Sequence, residues 1–254
     1  MGKQIYLETP HVVSYFINEL LRLLLHLDVE FFPKEAESCL MKFASRQDAG
    51  RRLGQHLKEQ GVEVDLVLGL PRGGVVVAAE VARLLQCPLD VLVVRKIGHP
   101  MHREFAVGAL AEPDVVIFDE RSLSGIPVAR SQLDKVVAEE TVRLREYCQR
   151  FHHSNVPVLR DKIVLLVDDG LATGATAEAA VLSARQQSAR RIIVAVPVAS
   201  MNAVERLRRV ADDVLALDVD PDFVAVGQYY DEFSQTSDEE VITLLRDVSC
   251  QKSV

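Results

Sequence analysis

Val164 to Thr176 read VLLVDDGLATGAT. An apolar run stops at two adjacent carboxylates, Asp168 and Asp169. A loop of Gly, Ala and Thr follows, and a helix-forming stretch opens at Ala177. The unbroken apolar segment Ile163 to Val167 predicts a strand covered on both faces, as in a parallel sheet. The two aspartates then stand at the carboxyl end of that strand, where open α/β sheets bind ligands. Behind them, Ala172, Thr173, Gly174, Ala175 and Thr176 offer unhindered backbone amides and two hydroxyls at a helix N-terminus, which suits a phosphate. The carboxylates suit the neighbour of that phosphate, a sugar whose hydroxyls need acceptors, with Mg²⁺ held nearby through water.

Three other readings of the segment are weaker. A Walker B strand also ends in Asp, but the chain has no G-x-x-x-x-G-K-[ST] to hold nucleotide phosphates. Receiver-type acidic pockets follow a first strand near the N-terminus and lack a Thr-Gly-Ala-Thr turn. A plain strand–turn–helix has no use for two adjacent acids, whose repulsion is unfavourable without a ligand or cation.

The string LGLPRGGVVVAAEVA repeats the same physics earlier in the chain. A strand over Val64–Leu70 is expected to end at Pro71-Arg72-Gly73-Gly74 and lead into a helix over Gly73–Gln86. The glycines let the backbone approach an anion, and Arg72 adds a fixed positive charge. A surface Arg on a tight turn would look the same in isolation. Arg95 and Lys96 follow a further strand, Leu89–Val94, and precede a stretch with Gly98 and Pro100 that reads as a loop as far as Ala106. They are candidate anion contacts, against a solvated strand end. His99 and His102 lie three apart, but with no third ligand in sight they do not make a metal pair.

The rest of the pattern alternates strands and helices. Helices are expected near 46–60, 128–150, 176–187, 201–210 and 238–248, and strands at 107–111, 115–119, 191–196 and 214–217. The result is an α/β fold with a mainly parallel sheet flanked by helices. The glutamates and arginines of the long 128–150 helix read as a solvated face. Residues 1–40 read as an N-terminal helical extension, with an apolar helix over 11–27 that packs on the domain or on a partner subunit. A homo-oligomer is therefore open, and membrane-surface binding is the lesser alternative. Interruption by Asn18, Glu19, Arg22 and His26 argues against a membrane span.

Composition bounds the function. The chain has 254 residues, 48% hydrophobic and 26% charged, an ordinary soluble-domain balance. A net charge of −8 argues against nonspecific nucleic-acid binding. Cys39, Cys87, Cys148 and Cys250 form no C-x-x-C pair, so neither structural zinc nor a disulfide framework is expected, and a reducing cytoplasm fits.

The VDDG-ATGAT, PRGG and RKIG strings together resemble the type I phosphoribosyltransferase family, and in particular a bacterial phosphoribosyltransferase-like subfamily carrying all three. The resemblance extends over residues 41–254. It weakens at QRFHHSNVPVL, 149–159, where the subfamily tends to be rich in Gly and Arg. It also departs at Gly170, where the family prefers an apolar residue.

The resemblance implies a phosphoribosyltransferase-like domain over 41–254, including a small hood closed by terminal segments. It further implies transfer of a 5-phosphoribosyl group from phosphoribosyl pyrophosphate (PRPP) to a nitrogen acceptor of the nucleobase class, with Mg²⁺ as cofactor. On that reading Asp168 and Asp169 hold the ribose hydroxyls, and 172–176 anchor the 5-phosphate. Arg72, Gly73, Gly74, Arg95 and Lys96 receive the pyrophosphate. An unusual peptide geometry is expected at Pro71-Arg72. Tyr229, Tyr230 and Phe233 either stack on a base or pack the tail. The alternatives are a non-catalytic PRPP-binding regulatory module, which an attached basic helix-turn-helix would favour but which is not found, and an assembly scaffold built on the first segment.

Overall fold

The computed structural model describes residues 41–123, 129–152 and 156–250. The chain divides between Leu40 and Met41, and everything described belongs to the second part. The helix expected over 11–27 lies outside the described residues.

Helix α1 (Arg46–Glu59) starts because the Ser45 hydroxyl accepts from the amide of Asp48 at 3.3 Å. It ends where Gly61 takes a positive φ of 66°. Strand β1 (Leu66–Gly69) runs into helix α2 (Gly73–Leu85), and strand β2 (Leu89–Val91) follows. Strands β3 (Val94–His99), β4 (His102–Ala111) and β5 (Val115–Phe118) come next, then the short α3 (Glu120–Leu123) and the long α4 (Arg130–Phe151). The second half is β6 (Ile163–Val167), α5 (Ala175–Gln186), β7 (Arg191–Ser200), α6 (Met201–Leu207) and β8 (Asp213–Asp220). A 3₁₀ turn over Val226–Tyr229 and helix α7 (Asp238–Cys250) close the chain.

Two sheets result. A five-stranded sheet has the order β2-β1-β6-β7-β8 with every pairing parallel. Its inner strands β1, β6 and β7 lack polar alternation because helices cover both faces. Val164 and Leu166 of β6 face α5 and α6 with Ala180, Val181, Ala203 and Leu207. Leu165 and Val167 face α1 and α2 with Leu53, Leu57, Val77 and Val81. The period of two thus sorts one apolar run into two cores.

A smaller antiparallel sheet has the order β3-β4-β5. It corrects the loop expected over Arg95–Ala106, most of which is the β3–β4 hairpin. Charged residues and Gly98 mimic a loop in sequence. In space Gly98 sits at a register shift, and a Cβ there would fall on the carbonyl of Arg103. The glycine marks close strand approach at a bulge. His99 and His102 face each other across the tip with stacked rings, centroids 5.8 Å apart. Strands β7 and β8 extend beyond their expected ends, to Ser200 and Asp220.

The small sheet is tied down by one buried acid. Glu112, which follows β4, accepts from the Val93 amide at 2.8 Å and from Cys148 Sγ at 3.1 Å. Both its oxygens lie 3.0 Å from His152 Nε2. Burial works against a charged imidazole, but the carboxylates of Asp90 and Glu112 outweigh it and lift His152 to about 9. Burial and the adjacent carboxylate push the Cys148 thiol far up, so it is not a reactive thiolate.

Candidate functional site

β1 and β6 are parallel neighbours with Gly69 opposite Val167, so the turns that leave them must meet. Arg72 caps α2 and the cis peptide bond between Pro71 and Arg72 precedes it, the departure expected there. Gly73 lies so close to Asp169 that a Cβ would fall within its Oδ2. A Cβ on Gly74 would stand 2.8 Å from the carbonyl of Val167 and from the Cα of Asp168. Both glycines are therefore demanded by contact between the two loops. The PRGG turn and the acid pair, 96 positions apart between 72 and 168, form one surface.

The acid pair is only partly exposed. Asp168 Oδ1 accepts from the Asp169 amide at 2.9 Å. Burial, then the charge of Asp169, raises the Asp168 carboxyl well above the usual range; Lys96 and Arg46 pull the other way. Asp169 is already paired, with Oδ2 accepting from Arg46 Nε at 2.7 Å. Arg46 also donates to the carbonyl of Ser234 at 2.7 Å and lies 3.9 Å from the centre of the Phe233 ring. Sequence reading put Arg46 only at the start of a helix. Its one signal was a cation on the first turn, where the macrodipole does not favour it.

The next loop is short and ordered by its own backbone. Gly174 takes a φ of 72°, which ends the loop and lets α5 begin at Ala175, two residues before the expected opening. The first intrahelical bond runs from Glu178 to the Gly174 carbonyl. The amides ahead of it, in the first turn, have no helical acceptor, and those of Thr176 and Ala177 point to where an anion would sit. Ala172 is held by its carbonyl, which accepts from Ser200 Oγ at 2.6 Å, and Thr173 Oγ1 lies 3.4 Å from the Ala175 amide. Ala172 and Thr173 line a cavity of about 420 Å³ together with Arg206 and Arg209. Arg206 is committed to Glu178 and Asp119.

Arg95 and Lys96 occupy adjacent positions in β3 and therefore opposite faces. Lys96 is exposed, and its charge reaches Asp168. Arg95 donates to Glu140 Oε2 at 2.6 Å and lies over Tyr147. It still borders a cavity of about 130 Å³ together with Arg72. The Arg72 guanidinium stands 3.8 Å from Asp238, which Arg150 also contacts.

The tail packs beside the acids. Tyr229 is fully buried with its hydroxyl on Asp220, and the Tyr230 hydroxyl donates to the Asp169 carbonyl at 2.6 Å. These two rings pack the tail; only Phe233, 40% exposed, keeps a free edge. Gly170 has its explanation here. A Cβ would meet Val226 Cγ1 at 2.8 Å, so the tail fills the space an apolar side chain would take.

A parallel sheet flanked by helices, with an acid pair and a small-residue loop at its carboxyl edge, places the chain among the open α/β domains whose ligand sites lie at that edge. The family model described as "Phosphoribosyl transferase domain" matches residues 43–234, and this chain belongs to that family. Two Mycobacterium tuberculosis proteins, from strains H37Rv and CDC 1551, are named "Putative phosphoribosyl transferase" Rv0571c and MT0597. Each is 43% identical over 204 residues, which is 80% of this chain and 46% of the relative. The chain thus spans about half the length of the curated relatives it matches. The crystal structure of TT1426 from Thermus thermophilus is 44% identical, covering 82% of this chain and 99% of that one, with a TM-score of 0.68. No helix among the described residues is long and apolar enough to cross a membrane.

Proposed function

We propose that this domain transfers the 5-phosphoribosyl group of PRPP to a nitrogen acceptor of the nucleobase class, releasing pyrophosphate. The observation that supports it most is the contact of Gly73 with Asp169. It sets a backbone anion site against a pair of hydroxyl acceptors, as a sugar carrying pyrophosphate at its anomeric carbon requires. Asp168 and Asp169 accept from the ribose hydroxyls. The amides and hydroxyls of Ala172, Thr173, Gly174, Ala175 and Thr176 take the 5-phosphate. Gly73 and Gly74 offer amides to the pyrophosphate, and Arg72, Lys96 and Arg95 line its exit.

As the C–O bond to pyrophosphate breaks, positive charge develops on the sugar and negative charge on the leaving group. Asp168 and Asp169 lie on the first side and Arg72 and Lys96 on the second, so the site opposes both charges without reorganising. Two adjacent carboxylates with a raised Asp168 carry an unmet demand for cations, which fits Mg²⁺ held through water near them. When bound, that ion supplies further charge to the leaving pyrophosphate. Water must be excluded from the sugar, a task for the Phe233 edge and the acceptor itself. A cytoplasmic setting suits these substrates.

Pyrophosphate release from PRPP and Mg²⁺, measured across a panel of purine and pyrimidine bases, tests the reading. Release with one base supports transfer. Binding of PRPP by calorimetry with no release from any base supports the regulatory module instead, and unchanged PRPP binding in the Asp168→Asn, Asp169→Asn double variant would refute the site.

A further inference from the structure

The turn after β4 and the end of α4 bring a carboxylate, a thiol and an imidazole together. We propose that Glu112, Cys148 and His152 form a zinc site, with Asp90 orienting the histidine from behind.

Three arguments support it. The first is geometry. One carboxylate oxygen, Cys148 Sγ and one imidazole nitrogen all lie within 4.8 Å of one another. A tetrahedral zinc with bonds of about 2.0–2.3 Å needs donors roughly 3.4–3.6 Å apart. The present separations are 3.1 Å for Glu112 Oε2 to Cys148 Sγ and 3.0 Å for Glu112 to His152 Nε2. Widening these two contacts by about half an ångström would match bonds of that length. Cys148 and His152 are four apart at the end of α4, so one helix face presents both. Glu112 cannot drift away, because the Val93 amide holds its carboxylate and Ser183 holds its carbonyl.

The second is the far side of the histidine. His152 Nδ1 is buried with no hydrogen-bond partner, yet stands 3.4 Å from Asp90 Oδ1. The contact is close but not aligned. Asp90 is itself fixed, since Oδ1 accepts from the Val91 amide at 2.7 Å. Turning the ring so that Nε2 meets a metal and Nδ1–H meets Asp90 would give the carboxylate–histidine–zinc arrangement that orients metal-bound imidazoles.

The third is charge. Zinc replaces the thiol proton of Cys148 and the Nε2 proton of His152. One carboxylate, one thiolate and one neutral imidazole then balance Zn²⁺ to zero, the condition for burying an ion. The mixture of sulfur and nitrogen donors favours zinc over magnesium or calcium. Bound there, the ion would clamp the turn after β4 to α4 and β2. This site stands apart from the acid pair, and its test does not depend on phosphoribosyl transfer.

The 254-residue protein, freed of metal with a chelator under reducing conditions, is titrated with Zn²⁺ alone and, in parallel, with Co²⁺. The expected result is one equivalent of Zn²⁺ bound, and a thiolate-to-cobalt charge-transfer band in the near ultraviolet. Cys148→Ser should remove that band, and His152→Asn should weaken Zn²⁺ binding on the order of 100-fold. Cys87→Ser, away from the trio, should leave both unchanged. The proposal fails if the wild-type protein takes up no zinc at micromolar concentration, if cobalt binds without a thiolate band, or if the band survives in Cys148→Ser. Any of these would leave the trio a purely hydrogen-bonded staple.

Discussion

Arg46 Nε donates to Asp169 Oδ2 at 2.7 Å, joining the first turn of α1 to the end of β6 across 123 residues of chain. Both side chains are mostly buried, so the pair is worth more than a surface ion pair, and breaking it leaves a carboxylate beside a second carboxylate. Arg46→Ala should cost about 2 kcal/mol, or a fall of about 4–8 °C in Tm for a domain of this size. Calorimetric melting of the ligand-free protein reads it; a melting point unchanged within a degree would mean that the pair carries no weight.

Asp168 gives the opposite sign. Its folded-state carboxyl titrates above the unfolded one, because of burial and the neighbouring Asp169. The folded protein therefore holds the proton more tightly, and stability falls as pH rises from about 4 through the raised value, then levels off. Asp168→Asn keeps an acceptor oxygen for the Asp169 amide and removes the charge. It should raise Tm by a few degrees at pH 7–8, with the gain vanishing near pH 4. PRPP affinity should be lost in the same variant. A gain that persists undiminished at pH 4 would contradict this account.

Gly73→Ala places a methyl group inside the space of Asp169 Oδ2. Either the turn or the carboxylate must move, at a cost of about 1–3 kcal/mol. Pyrophosphate release should fall by about 100-fold, since a displacement of about 1 Å is enough for that. Single-turnover release from PRPP, with circular dichroism to verify folding, measures it.

Gly170→Val restores the apolar residue the family prefers, but Val226 already occupies that space. The single variant should be destabilised by about 1–3 kcal/mol. Combining it with Val226→Gly should recover part of the loss, giving a coupling of about 1 kcal/mol in a double-mutant cycle. Additive effects would show that the two positions do not share one volume.

What could be read in advance follows from where the physical signal lies. The β6 run, its two acids and the Gly174 turn were legible because burial on both faces, charge at a strand end and a positive φ each leave a local mark. The β3–β4 hairpin was not, because Gly98 and Pro100 signal a break whether the chain turns tightly or wanders. Arg46 was hidden for a different reason: its partner is more than a hundred residues away, and a cation on the first helical turn is only a faint mark of it. The Glu112, Cys148 and His152 cluster escaped likewise. No compact ligand spacing exists when a turn after β4 supplies one donor and the end of α4 the others. At Gly170, where the family prefers an apolar residue, the space is filled instead by Val226 from the tail.

Phe43 and Tyr230 bridge in parallel, with further backbone bonds from Asp231 to Phe43 and from Glu232 to Ala44. Tyr230 then touches the carbonyl of Asp169. Synthesis delivers Arg46 first, then the aspartates, and Tyr230 after both. The acid pair therefore waits for the segment around Tyr230 to emerge before it gains these neighbours. A nascent chain halted before residue 230 would carry the PRGG turn and the acid pair and still lack the strut that stands behind them.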